Sequence, residues 1–560
     1  MSFLRNMFNS KRRIITSVMV IILSGSLTAF KTLNDSDRYF QIVKNLDIFA
    51  TLFKEVNAYY VDEVNPNELI KVGIDAMLNS LDPYTDYIPE DDIEEYMTMT
   101  TGEYGGIGAF VDKKDGINTI TMPYKDSPAD KAGLKIGDQI LKINGIDLAD
   151  KDSDDISKLL KGASNSQIEM MIKRPYQDDP FIVTVKREKI TINNVPYFGM
   201  VNDQIGYIRL TDFTTKAGKE VSNALKKLKS EGATGMILDL RGNPGGLLDE
   251  AINVSNVFIP KGVEVVSTKG KLENWTKEYK SLADPVDTEI PLVVLTDNGS
   301  ASASEIVSGV IQDYDRGVLI GRKTFGKGLV QQTRPLAYNS QLKVTTAKYY
   351  IPSGRCIQAI DYSHRNPDGS VGKIPDSLKN EFKTANGRIV FDGGGLDPDV
   401  EVEQYEYAHI SYSLLRNDLL FHYATKYAHE HPQIAPAKDF SLTDTEYDDF
   451  VKWLADKEYS YTTDVEKTME RLITVAKEEK YYADIEEQIM ALKNATLHNK
   501  SADLTNFKRE IKKVLEQEIV GRYYLQEGAI ESTFNDDQDI LTAIEVLSDS
   551  VRYKSLLNPK

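Results

Sequence analysis

The sequence is short of cysteine, histidine and positive charge. A single cysteine, Cys356, in 560 residues excludes an internal disulfide framework and any multi-cysteine zinc or iron–sulfur centre. Of six histidines, five (His409, His422, His429, His431 and His498) lie beyond residue 400, and only His364 falls between residues 102 and 400. A histidine base is therefore scarce over most of the chain. Lys and Arg number 67 against 85 Asp and Glu, a net charge of −18. So acidic a chain is poorly suited to displacing counterions from nucleic acid, and no nucleic-acid partner is expected. After residue 30 no apolar run approaches the ~20 residues of a membrane span. There is no low-complexity tract and no short-period repeat. What remains is an ordinary globular composition, 41% hydrophobic and 27% charged. At ~150 residues per domain it makes three to four domains.

The first thirty residues read as a targeting segment. Lys11, Arg12 and Arg13 precede the apolar run Ile14 to Leu23, and small residues follow at Ser24, Gly25, Ser26, Thr28 and Ala29. This is the layout of a secretory signal. Residues 1–30 are either a cleaved signal peptide or an uncleaved anchor in the inner membrane. Both send the remainder out of the cytoplasm, to the periplasm or to the outer face of the inner membrane.

Four further segments follow. Residues 36–101 form an N-terminal helical region, with Leu46, Phe49, Leu52, Phe53 and Val56 at helical spacing. Residues 102–190 read as short strands with glycine turns and one helix. Residues 196–402 alternate strands and helices, the pattern of a parallel sheet. Residues 403–560 are rich in Glu, Lys, Leu and Tyr and read as helical. The expected class is a multidomain α+β protein.

In the second segment, Tyr104-Gly105-Gly106-Ile107-Gly108-Ala109-Phe110 reads as a glycine-rich turn running into a strand. Its N–H groups can converge on a carboxylate. Ser127-Pro128-Ala129, Gly137-Asp138 and the hairpin pair Asn144-Gly145 follow in order. The set resembles a PDZ domain, which implies capture of a peptide C-terminus by Gly105, Gly106, Ile107, Gly108 and Ala109.

The third segment carries the chemistry. The buried-strand run Gly235 to Leu240 ends in Arg241-Gly242-Asn243-Pro244-Gly245-Gly246. Such a turn, entering a helix, exposes N–H groups suited to an anion or a developing oxyanion. A dinucleotide site is excluded by the absence of G-x-G-x-x-G. A second strand, Leu292 to Leu295, leads to Ser300-Ala301-Ser302-Ala303-Ser304-Glu305. Ser302 with Glu305 is a capping box, and equally a place for a nucleophile at a helix N-terminus. Next comes Gly321-Arg322-Lys323-Thr324-Phe325-Gly326-Lys327-Gly328. Lys327 is either a surface lysine in a loop or a desolvated base. A phosphate loop is excluded because residue 328 is Gly rather than Ser or Thr. With His364 alone in a polar loop, a Ser-Lys pair is favoured over a Ser-His-Asp triad. His422, His429, Glu430 and His431 do not have H-E-x-x-H spacing, so no metal site and no cofactor are expected.

The Ser300 to Ile306 run, Gln312-Asp313-Tyr314, and Gly321 to Gln331 together resemble the carboxy-terminal processing proteases. The resemblance extends over roughly residues 40–400 and places the PDZ module before a crotonase-like core. It implies Ser302 as nucleophile and Lys327, twenty-five residues later, as general base. It further implies Gln331 as the base's assistant and the N–H groups of Gly245 and Ala303 as oxyanion donors. Asp313 matches an acidic position of less defined role. Two departures are visible: Cys356 stands where a serine is expected, and Leu81-Asp82-Pro83-Tyr84-Thr85 replaces the usual Leu-Asp-Pro-His-Ser. The expected activity is a serine endopeptidase that takes protein or peptide substrates by accessible C-termini. A non-catalytic PDZ scaffold, or a ligand-binding protein on the same core fold, is the alternative. Residues 403–560 suit dimerisation, docking of an adaptor or covering of the active site equally well.

Overall fold

The computed structural model describes residues 37–496 and 500–558. The targeting segment expected at residues 1–30 lies outside them. The described residues divide into two compact units, with the boundary between Tyr87 and Ile88.

In the first unit a helix over residues 37–59 is followed by the helix Pro66–Asn79. Asn65 caps the second helix by accepting from Asn67 N–H, and Pro66 sits in its first turn, where no N–H is missed. Asp82 accepts from Tyr84 N–H (2.8 Å) and Thr85 Oγ1 (3.1 Å), which folds Leu81 to Thr85 into a tight turn.

The second unit is built on a mixed sheet in the order Tyr197–Met200, Ile205–Arg209, Gly235–Asp239, Leu292–Thr296, Val318–Gly321, Val400–Glu401. All pairings but the first are parallel. The strands are apolar on both faces because both faces are covered. Leu238, Leu292, Val294 and Leu319 pack against the helices Ala217–Ser230, Leu248–Ser255 and Ala303–Asp313. Ile237, Val293, Leu295 and Ile320 point the other way, onto Phe534, Ile540, Ala543 and Val546. A neighbouring antiparallel sheet includes Glu264–Gly270, Lys277–Lys280, Leu329–Pro335 and Gln341–Tyr350.

The segment 403–560 reads from sequence as one helical region, yet it divides by packing. Residues between 410 and 519 supply a core of their own, with Tyr423, Tyr447, Phe450, Ile511, Leu515 and Ile519 buried. The last helices, Gln538–Ser548 and Ser550–Leu556, belong to the sheet instead. Tyr553 Oη lies 2.9 Å from Leu292 N and 3.2 Å from Leu292 O. An amphipathic helix pattern does not say which apolar surface it will cover.

The PDZ module is a sheet in the order Ala109–Lys114, Ile117–Pro123, Gln139–Ile143, Gln167–Lys173, Phe181–Lys186. Asn144 and Gly145 both take positive φ (49° and 80°), as a two-residue hairpin requires. The module rests on the C-terminal helices. Lys114 pairs with Asp418 (2.7 Å), Asp115 with His422 (2.8 Å), and Tyr176 stacks on His429. Among the described residues no helix is long and apolar enough to cross a membrane.

Candidate active site

Three loops leave the carboxyl ends of adjacent parallel strands, where α/β sheets ordinarily hold their ligands. They are Arg241 to Gly246 after Gly235–Asp239, Asp297 to Ser302 after Leu292–Thr296, and Arg322 to Gly328 after Val318–Gly321.

The serine run turns sharply into its helix. Ser302 enters the helix Ala303–Asp313 with φ 56° and ψ −111°. An ordinary N-cap residue is extended. A non-glycine residue held in this region is strained, and such strain gathers at functional sites. The neighbouring hydroxyls are engaged elsewhere. Ser300 Oγ donates to Leu240 O (2.8 Å) and Ser304 Oγ to Asn243 O (2.9 Å), and both residues are fully buried. Ser302, half-buried, is the serine of the three that the turn leaves at the surface of the site.

Glu305 is the residue whose part the sequence did not disclose. It sits at the capping-box position and has no exposed surface. Its Oε2 accepts from Ser302 N–H and from Lys327 N–H, each at 2.9 Å. The two nitrogens therefore lie at most twice that distance apart. Its Oε1 accepts from Thr324 Oγ1 (2.5 Å) and Gly326 N–H (2.7 Å). Burial pushes the Glu305 carboxyl up to about 7, against the pull of these four donors. Tyr349 closes the other side, its hydroxyl lying within hydrogen-bond reach of Ser302 O (3.2 Å) and of Lys327 O. Amide and carbonyl of both residues are thus held by shared partners. A capping box and a buried hub have the same local pattern, which is why the sequence shows only the first.

The two expected oxyanion donors, Gly245 and Ala303, differ in their surroundings. Gly245 does lie against the serine: a Cβ added to it would come within 2.9 Å of Ser302 Cβ and 2.8 Å of Ala303 N. Its φ of 98° is also one that glycine alone adopts readily. Its N–H, however, donates to Asn243 Oδ1 (2.9 Å). Ala303 N–H begins the helix, where the dipole favours negative charge. The Gly245 amide can join it only by releasing Asn243.

The remaining candidates fall in place as follows. Gln331 lies on the strand Leu329–Pro335, its Nε2 on Thr345 Oγ1 at 3.1 Å. Asp313 is at the far end of the helix, binding Arg355 Nη2 (2.7 Å) and Ser353 N–H (2.9 Å), so it latches a loop. Burial pushes the Cys356 thiol up, away from nucleophilic use. His364 Nδ1 faces both Asp361 Oδ2 (2.7 Å) and Ser363 Oγ (3.1 Å). One ring nitrogen serving both partners cannot relay a proton between them.

The second candidate site is a groove of about 270 Å³ in the PDZ module. Ile107, Ala109, Phe110 and Val111 line one side, Ile156 and Leu160 of the helix Ser153–Leu160 the other. Ala109–Lys114 is an edge strand and can accept another strand. Gly105 and Gly106 do not form the expected turn. They sit in the strand Glu103–Gly106, opposite Lys189 and Glu188. A Cβ at Gly105 would come within 2.2 Å of Gly162 O, so glycine is there for a close crossing of two backbones.

The profile of "Peptidase family S41" matches residues 204–371, that of "PDZ domain" 119–174, and that of "Probable PDZ-protease, C-terminal helical domain" 410–547. A "Carboxy-terminal-processing protease" of Bartonella bacilliformis is 37% identical over 357 residues, covering 62% of this chain and 81% of the relative. A "Probable CtpA-like serine protease" of Staphylococcus aureus is 35% identical over 411 residues, covering 70% and 79%. Among solved structures, the photosystem II D1 C-terminal processing protease aligns with 63% of this chain and 92% of its own, at 26% identity and TM-score 0.34.

Proposed function

Since the chain belongs to peptidase family S41, among the carboxy-terminal processing serine proteases that carry a PDZ domain, we propose that it cleaves peptide bonds with a Ser302–Lys327 dyad. The observation that carries this reading is the Glu305 oxygen shared by the amides of Ser302 and Lys327. It keeps the backbones of a strained serine and a loop lysine together.

Neutral Lys327 takes the Ser302 Oγ proton as Oγ attacks the substrate carbonyl. Ala303 N–H receives the developing oxyanion at the helix N-terminus, with Gly245 walling the other side. Collapse passes the proton from Lys327 to the leaving amine and leaves an ester on Ser302. Water, deprotonated by Lys327, then attacks that ester; collapse breaks the C–Oγ bond, returns the proton from Lys327 to Ser302 Oγ and releases the acid product. Gln331 assists by orienting the lysine. The PDZ groove holds the substrate's C-terminus against Ala109–Lys114, with an apolar last side chain between Val111 and Leu160. The basic-apolar residues 11–30 support a location in the cell envelope.

The test is digestion of an unfolded protein by the purified enzyme and by Ser302→Ala and Lys327→Ala. Both variants should be folded and inactive. Wild-type activity in Ser302→Ala, with loss in Ser300→Ala or Ser304→Ala, would sink the assignment. A wild type without cleavage would favour a PDZ scaffold.

A further inference from the structure

The start of the helix Gln538–Ser548 reaches the entrances of two of the three loops. Asp537 caps this helix, accepting from Asp539 N–H (3.0 Å) and Ile540 N–H (3.2 Å). The same carboxylate takes Arg241 Nη1 at 3.0 and 2.9 Å. Asp539, 3% exposed, also takes Arg241 Nη1, at 2.7 Å, and reaches Arg322 Nη2 at 3.1 Å. The other edge of the Arg241 guanidinium grips Asp239, through Nε (3.0 Å) and Nη2 (2.6 Å). Arg209 completes the cluster, with Nη1 on Asp239 (2.6 Å) and Nη2 on Arg241 O (2.8 Å). Three guanidinium groups and three carboxylates balance in charge.

These arginines stand at the start of the loops that enter the site. Arg241 opens the turn that runs through Asn243 to Gly245, against Ser302 and Ala303. Arg322 opens the loop whose Thr324, Gly326 and Lys327 bind Glu305. The backbone of each is fixed to the sheet: Arg241 N–H to Asp239 Oδ1 (2.9 Å), Arg322 N–H to Thr296 O (2.9 Å). One carboxylate, that of Asp539, joins the two side chains and so the entrances of the two loops.

We propose that Asp537 and Asp539 are positioning residues of the active site. Seating the C-terminal helix fixes the loops bearing Gly245 and Lys327 in mutual register, and hydrolysis requires that seating. The proposal rests on the Ser302–Lys327 reading. Without Asp539, Arg241 keeps Asp239 and Asp537, whereas Arg322 loses the carboxylate that ties its loop to the Arg241 turn, and the two loops are free to shift against each other. A displacement of about 1 Å between reacting groups can lower a rate about 100-fold.

The test compares full-length wild type with Asp539→Asn, Asp539→Glu, Asp315→Asn and Ser302→Ala. Asp315 pairs with Arg388 (2.6 Å), accepts from Asn386 N–H and lies beyond the far end of the helix Ala303–Asp313, so its variant reports the loss of a buried ion pair away from the loops of the site. kcat and KM are measured on a peptide with a free C-terminus, with cooperative unfolding in denaturant as the folding check. Asp539→Asn should lose kcat about 10- to 100-fold at unchanged KM, and Asp539→Glu should recover part of it. Asp315→Asn should unfold at lower denaturant with wild-type kcat. If Asp539→Asn does not fold, Arg322→Gln, which breaks only one end of the bridge, replaces it with the same expectation. Wild-type kcat in the folded bridge variant, or an equal fall in Asp315→Asn, overturns the proposal while Ser302→Ala remains inactive. Activity in Ser302→Ala would instead overturn the dyad reading and the proposal together.

Discussion

Replacing Glu305 probes the hub directly. The carboxylate is fully buried and accepts from four donors, two on each oxygen. Glutamine offers one oxygen and one NH2. With its oxygen toward Ser302 and Lys327, the NH2 faces Thr324 and Gly326. The Thr324 hydroxyl can rotate to accept, but the Gly326 N–H is left pointing at another donor. One buried donor without an acceptor costs about 1–3 kcal/mol, the loss expected for Glu305→Gln. Glu305→Ala strands four donors and should lose roughly 4 kcal/mol or more. Because the glutamine still holds both amides, turnover should persist in Glu305→Gln and vanish in Glu305→Ala. A pH signature accompanies this. A carboxyl raised from 4.5 to about 7 holds its proton more tightly folded than unfolded. Its contribution to stability is full below about 4.5 and lost as pH rises through about 7. Glu305→Gln has nothing to titrate and should lack that slope. Urea titrations from pH 5 to 8, with cleavage assays at pH 8, read both effects. If Glu305→Ala unfolds within about 0.5 kcal/mol of wild type, or if Glu305→Gln keeps the wild-type slope, the hub reasoning fails.

Gly245→Ala would force a Cβ to 2.7 Å from Ala301 O at a φ of 98°; a fall in kcat of about 100-fold is expected, and wild-type turnover would show that this wall does not touch the chemistry. The rate should climb with pH on the alkaline side because only neutral Lys327 accepts a proton; His364→Ala should leave the profile unchanged, and a profile lost with that histidine would restore the triad. Amidating the C-terminus of a good peptide substrate should raise KM with little change in kcat, since the PDZ groove is assigned to binding; an unchanged KM would remove the groove from substrate selection.

Much of this protein is local and therefore legible in the chain. The Asn144-Gly145 hairpin, the apolar runs of the strands Gly235–Asp239 and Leu292–Thr296 and the helix beginning at Ala303 follow from turn chemistry and hydrophobic period, which act between near neighbours. The α+β class and the family resemblance rested on such short motifs. Other features needed the folded chain. Gly105 and Gly106 look like a turn because glycine is a turn residue; they are a strand because Lys189 and Glu188 arrive to pair with them. The capping-box pattern at Ser302 and Glu305 is identical whether the glutamate faces water or is buried under a second loop, and only the return of Thr324, Gly326 and Lys327 decides it. The Gly245 amide was a free donor by motif and a bound one once Asn243 folded back. Farthest from reach were Asp537 and Asp539, ordinary acidic residues opening a helix, which meet Arg241 across nearly 300 residues of chain. Propensity and pattern are set over a few residues, whereas the partner of a buried charge is whichever group the packing of the sheet brings to it.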